Sequence, residues 1–191
     1  MKALITGFDP FGGDARNPSY EAVRALPARV GTLQVVTAEL PTSFARAAPK
    51  LRALIRREQP QIVVCVGLAA DRAVIGIERV AVNLRDARLP DNDGARPLDQ
   101  PVARGGPAAY FSTLPVRKIL ARLKAENIPC ELSMSAGTFV CNQVFYSLMH
   151  WAAQQSHPLP AGFVHVPAVL PPAHLTRALK LILQVTRRAC G

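Results

Sequence analysis

No apolar run in this 191-residue chain approaches the ~20 residues that a membrane-spanning helix requires. The opening Met1-Lys-Ala-Leu-Ile-Thr-Gly7 reads as a short strand and lacks the long apolar centre of a signal peptide. Membrane attachment is therefore not expected, and a cytoplasmic location is. The four cysteines, Cys65, Cys130, Cys141 and Cys190, form no C-x-x-C pair, which leaves a metal site unsupported. Acidic residues are also few: 13 Asp plus Glu stand against 23 Lys plus Arg, a net charge of +10. Such a balance raises the question of nucleic-acid or other anionic partners. The cations are spread, however, around Lys50 to Arg57, Arg117 to Lys124 and Arg177 to Arg188, with no basic tail and no recognition motif. Each cluster reads as a solvated helix face, and no nucleic-acid partner is expected. Internal repeats and low-complexity linkers are absent as well.

The chain does have enough apolar material, 49% of its residues, for one α/β domain over residues 1–191. Strands are predicted at Lys2 to Thr6, Leu33 to Leu40, Ile62 to Val66, Ile75 to Val82, Glu131 to Ser133 and Phe163 to Val166. Helices are predicted at Tyr20 to Leu26, Ser43 to Glu58, Val116 to Glu126, Val140 to Gln155 and His174 to Arg188. This order predicts a three-layer α/β/α sandwich built on a twisted mixed sheet. Pro49 should kink the second helix or mark a late start. The stretch from Arg85 to Gly106, rich in Asp, Pro, Gly and Asn, reads as long and structureless, a kind of segment that is often functional. Its Asp91-Asn-Asp-Gly94 is read as a turn, because the ligand spacing and terminal glutamate of a calcium loop are missing. The first loop, Gly7 to Gly13, contains neither G-x-G-x-x-G nor a Walker lysine, and Pro10 removes an N–H that a phosphate cradle would use. No cofactor is expected. The glycines are read as letting backbone close around a small substrate.

One cysteine stands apart. In Ser135-Ala-Gly-Thr-Phe-Val-Cys141-Asn142, a turn-prone segment leads into apolar residues at helical spacing, so Cys141 falls in the first turn of a helix. Free N–H groups and the positive end of the helix dipole gather there, and both favour thiolate over thiol. The competing reading is plain core filling, the usual fate of a free cysteine. A nucleophile needs a base and a group to orient it, brought together in space. His165, near the C-terminal end of the β-branched run Gly162 to Val166, is the best base, since catalytic groups of open α/β sheets collect there. His150, His157 and His174 are explained as helix-end or surface residues. Glu78 interrupts an apolar strand-like stretch, and a buried acid requires a partner. A salt bridge to Arg72 or Arg79 would satisfy it. Adjacent strand residues point to opposite faces, which disfavours Arg79 and leaves room for His165.

Six motifs resemble the pyroglutamyl peptidase I (pyrrolidone-carboxylate peptidase) family of cysteine peptidases, in that family's order from residue 1 to about Pro172. They are Gly7-Phe-Asp-Pro-Phe-Gly-Gly13 with Asn17-Pro18-Ser19, Glu78-Arg-Val-Ala-Val-Asn83, Asp86-Ala-Arg-Leu-Pro-Asp-Asn92, Gly106-Pro-Ala-Ala-Tyr-Phe-Ser-Thr-Leu-Pro115, Ala136-Gly-Thr-Phe-Val-Cys-Asn142 and Phe163-Val-His-Val-Pro167. The resemblance implies a metal-free omega peptidase that removes N-terminal pyroglutamyl residues from peptides and assembles as a homo-oligomer, a dimer or tetramer. It places nucleophile, base and orienting acid on Cys141, His165 and Glu78. It puts Phe8, Phe11, Thr42, Leu68, Leu89, Phe139 and Val140 around the lactam ring, and Arg88 near the reacting carbonyl. Aromatic and aliphatic walls with a few polar groups suit a small uncharged lactam, although Phe8 and Phe11 are also explained by core packing.

The chain departs from that family at one point. Where the family usually reads Gly-Gln-Ala-Gly-Gly-Arg, the sequence here is Gly67-Leu68-Ala69-Ala70-Asp71-Arg72. An alkyl chain replaces an amide able to bond the lactam, which puts affinity and the preferred N-terminal residue in question. Asp71 is expected to pair with Arg72 at the surface. Two other classes stay open: a hydrolase of the same fold acting on another lactam or N-acyl substrate, and a non-catalytic basic binder of anions or nucleic acid. At the C-terminus, Cys190 follows Arg187 and Arg188, which should favour its thiolate.

Overall fold

Runs such as Ile-Val-Val-Cys-Val-Gly-Leu at residues 62–68 and Ala-Gly-Phe-Val-His-Val at 161–166 are buried on both faces, the pattern of central strands covered by helices on each side. The computed structural model describes residues 1–157 and 159–190. In chain order it runs β1 (Lys2–Phe8), α1 (Pro18–Arg24), β2 (Arg29–Val30), β3 (Leu33–Leu40), α2 (Ala47–Glu58), β4 (Ile62–Leu68), β5 (Ile75–Glu78), β6 (Val80–Val82), β7 (Ala109–Phe111), α3 (Val116–Ala125), β8 (Cys130–Ser133), α4 (Val140–Ala152), β9 (Ala161–Val166) and α5 (Pro172–Arg188). A seven-stranded sheet has the order β2-β3-β1-β4-β9-β5-β8. Strands β3, β1, β4 and β9 are parallel, while β5 runs antiparallel to β9 and parallel to β8. The sheet is therefore mixed, as predicted.

One face of the sheet packs on α1, α3 and α5 through residues such as Val23, Ile119 and Ile182. The other packs on α2 and α4 through Leu51, Val144 and Phe145. The result is the expected α/β/α sandwich. Leaving β1, the chain crosses to β3 on one side, then returns through α2 to β4 on the other. The carboxyl ends of β1 and β4 thus flank a switch point, where open α/β sheets leave a crevice.

Strands β2 and β7 lie outside the predicted elements, and one predicted strand is divided. The segment Ile75 to Val82 is two strands in two sheets. Arg79 donates its N–H to Ser133 O beside β5, whereas its carbonyl accepts from Ser112 N beside β7. The chain changes partner there, and β6 pairs antiparallel with β7 in a separate two-stranded sheet. Helix α2 starts late, at Ala47, so that Pro49 lies within its first turn, where a missing N–H costs nothing. The 85–106 stretch carries no helix or strand, only the bridge Arg85–Gln100. It is nonetheless fastened: the Asp91 carboxylate accepts from the backbone N–H of Phe44, Asp93 and Ala95, and Asp93 binds Ser43 and Arg46. Gly94, at φ +84°, closes the predicted turn with its N–H on Asp91 O.

Candidate active site

Glu78, His165 and Gly67 lie on one face of three adjacent strands. In register, Gly67 of β4 sits beside His165 of β9, and Gly76 of β5 faces His165 from the other side. Alternation along the strands turns Gly67, His165, Gly76 and Glu78 toward the α4 layer. The His165 Nδ1 is 2.8 Å from Glu78 Oε1, and both residues are buried. Glu78 Oε1 also accepts Arg72 Nη1 at 2.8 Å, and Arg72 Nη2 reaches Ser135 O at 2.9 Å. Glu78 therefore has both partners that the sequence offered as alternatives. Arg79 points elsewhere, its guanidinium 4.7 Å over the Phe111 ring.

Helix α4 begins at Val140, with Phe139 as its N-cap residue, and Cys141 is its second residue, as expected. The turn before it needs Gly137, whose φ of +72° suits no side chain well. An ideal Cβ on Gly67 would lie 2.8 Å from Cys141 Sγ and 2.9 Å from Phe163 Cζ. Sulfur thus occupies the space that a side chain at residue 67 would fill, one strand from the imidazole. Phe163 stacks obliquely on His165 with centroids 4.9 Å apart. The neighbouring Asn142 is fully buried. Its amide accepts from Val82 N and donates to Val82 O and Leu84 O, fixing the head of α4 to β6.

Electrostatics correct one expectation. Burial pushes the Cys141 thiol up to about 12, the Glu78 carboxylate and Cys65 push the same way, and only the thiol's own backbone N–H opposes them. The helix start is present but outweighed, so the thiol keeps its proton until a base removes it. For Glu78, burial acts upward. The hydrogen bond and charge of His165, with help from Ser133 and Arg72, act downward and prevail. An ionised Glu78 fixes the proton on His165 Nδ1 and leaves Nε2 as the acceptor. Cys190 is corrected as well: its thiol donates to Thr186 O, and burial raises its pKa.

Beside the sulfur is a cavity of about 330 Å³ at the carboxyl ends of β1 and β4. Phe8, Phe11, Thr42, Leu68, Phe139 and Cys141 line it, all singled out in the sequence. Phe139 is held between Phe11 and Phe44, with centroids 5.1 and 5.2 Å away. Gly12 of the first loop lines it too, and the sequence reading missed Asp14, Arg16, Asn17 and Ala70, which share the lining; the Asn17 side chain, which caps α1, was the available signal. Other expected residues sit differently. Val140 is in the core, and Arg88 and Leu89 are exposed on the 85–106 stretch, outside the lining. Arg72 pairs with Glu78 instead of Asp71. A larger depression lined by Arg56, Trp151 and His157 shares no residue with this cavity, and His150 bonds Tyr110. Among the described residues no cluster of His, Cys, Asp or Glu is placed to hold a metal ion, and no helix is long and apolar enough to cross a membrane.

A thiol at a helix head, a carboxylate-bound imidazole and a small, mostly apolar cavity are the parts that acyl transfer through sulfur uses, the chemistry of the α/β cysteine peptidases. A family model described as pyroglutamyl peptidase matches residues 1–180. A pyrrolidone-carboxylate peptidase of Gloeobacter violaceus is 46% identical over 200 residues, covering 98% of this chain and 97% of its own. One of Thermosipho melanesiensis is 48% identical, covering 87% and 83%. The crystal structure of Bacillus amyloliquefaciens pyroglutamyl peptidase I superposes with a TM-score of 0.94 at 41% identity, covering 98% and 97%. The chain belongs to the pyroglutamyl peptidase family.

Proposed function

We propose that this protein removes N-terminal pyroglutamyl residues from peptides through a thioester on Cys141. The observation that carries the reading is the 2.8 Å Glu78–His165 bond one strand from a sulfur that faces an apolar cavity. His165 Nε2 takes the thiol proton as Sγ attacks the carbonyl carbon joining pyroglutamate to the next residue. Glu78 holds the imidazole and stabilises its positive charge. The oxyanion is met by backbone N–H groups at the start of α4, so Val140 serves through its main chain. The His165 proton then passes to the leaving amine, the C–N bond breaks, and a water deprotonated by His165 hydrolyses the thioester.

Phe8, Phe11, Phe139 and Leu68 enclose the ring, and Thr42 supplies a polar contact. Residues 1–191 act as one catalytic domain, working in the cytoplasm as a homo-oligomer, a dimer or tetramer. Leu68 supports a second reading, a preference for another small lactam or N-acyl group. Release of a fluorescent amine from pyroglutamyl, prolyl and acetyl derivatives tests both. Fastest turnover on pyroglutamyl supports the first reading, and fastest turnover on another group replaces it with the second.

A further inference from the structure

The geometry points to Arg72 as a positioning residue of the catalytic site, one that sets the pH range over which Cys141 and His165 exchange a proton. This deepens the proposed reading of the site and rests on it. Arg72 sits between β4 and β5 and reaches back to the triad. One fork nitrogen, Nη1, bonds Glu78 Oε1, the same oxygen that receives His165 Nδ1, while Glu78 Oε2 has no hydrogen-bond partner among the described residues. The other, Nη2, bonds Ser135 O, in the segment that delivers Cys141. A single planar group thus links the acid to the loop leading to the nucleophile, a two-point grip that a lysine cannot reproduce.

The strand is shaped for it. A Cβ at residue 76 would collide with Arg72 Nη1 and stand 3.3 Å from Glu78 Oε1, so glycine there opens the path for the guanidinium. The Arg72 side chain is 23% exposed against 0% for Glu78, so the charge acts from the edge of a buried carboxylate where screening is incomplete. The titratable and charged groups around that carboxylate are Arg72 from the β4–β5 connection, His165 from β9, and Cys141 from α4 with Cys65 of β4 beside it. A fixed cation beside the carboxylate favours its ionised form. By drawing on the same oxygen as His165, it also limits how strongly Glu78 holds a proton on the imidazole.

The test is the pH profile of kcat/KM for a pyroglutamyl amide in Arg72→Gln, together with the pH dependence of Cys141 alkylation by iodoacetamide read by mass spectrometry. Both limbs of the profile and the alkylation midpoint are expected to move to higher pH by roughly 0.5 to 1 unit. kcat is expected to fall about tenfold or more, with KM within about twofold, because Arg72 does not touch the ring. Arg72→Lys, which restores the charge, should return the limbs toward wild type. Should Arg72→Gln fail to fold, Gly76→Ala pushes the guanidinium aside in an otherwise intact chain and should give the same alkaline shift. Unmoved limbs and an unmoved alkylation midpoint in either folded variant overturn the proposal. A wild-type protein inactive on pyroglutamyl amides removes the substrate reading alone, since the alkylation profile needs no substrate and still decides the role of Arg72.

Discussion

Cys141 Sγ rests against Gly67, at the point where any larger residue would hold a Cβ 2.8 Å from it. The contact fixes how close the Cys141 sulfur comes to the sheet, and hence to His165, which lies in register beside Gly67. Gly67→Ala should cost about 1 to 3 kcal/mol by overpacking and lower kcat by at least tenfold, because a displacement of about 1 Å disrupts the attack geometry. Thermal unfolding and steady-state kinetics check the two effects separately; full kcat in a folded Gly67→Ala would place the working sulfur elsewhere.

Cys141→Ala should abolish hydrolysis of a pyroglutamyl amide by several orders of magnitude and leave stability within about 1 kcal/mol. Because desolvation pushes the half-buried thiol up to about 12, its alkylation at neutral pH should depend on the base and slow markedly in His165→Ala. Peptide mapping after brief treatment reads this directly. Alkylation at an unchanged rate in His165→Ala would show that the thiol ionises without the imidazole.

Glu78→Gln should keep measurable turnover, whereas His165→Ala should lose about 10²- to 10⁴-fold or more, since orientation is lost in one case and the proton acceptor in the other. Rates of the two purified variants, compared on one substrate, decide the order. Equal losses would make the carboxylate and the imidazole a single inseparable unit.

Stability should fall in acid in two windows. Glu78 is depressed below its ordinary 4.5, so its contribution is complete above that value and disappears as pH drops through its lower folded value. Asp93 is pushed down from 3.8 to about 2 by hydrogen bonds from Arg46 and Ser43, and its contribution fades between those values. Urea midpoints from pH 6 to pH 2 should therefore decline less steeply below pH 4.5 in Glu78→Gln, and less steeply below pH 3.8 in Asp93→Asn, than in the wild type. Parallel curves would remove these groups from the acid response.

Leu68→Gln should lower KM for pyroglutamyl substrates, by no more than about tenfold for one neutral hydrogen bond, with little change in kcat. An unchanged KM would mean that the ring's polar edge is already served by Thr42 or backbone.

Much of this was legible in the sequence, for identifiable reasons. The central strands announce themselves because burial on both faces demands unbroken apolar runs, and α4 because its apolar residues recur at helical spacing. The residues of the proposed triad were legible as exceptions: an acid and a histidine inside apolar stretches, and a thiol at a helix start. The split of β5 from β6 was not, since Val80–Val82 has the same local pattern and only the distant Ser112 sets its partner. Nor was the state of the thiol, because the number of atoms packed over a helix start is a tertiary quantity. Arg72 was visible only as a rival partner for Glu78, and three-dimensional reach was needed to see that one oxygen serves both donors.

Asn142 gives the site a mechanical character. Its buried amide bonds the main chain of Val82 and Leu84 as a further strand would, so the head of α4 is stitched to the small β6–β7 sheet. Phe111, on β7, is 64% exposed. One side chain thus ties an exposed strand pair to the residue that follows Cys141.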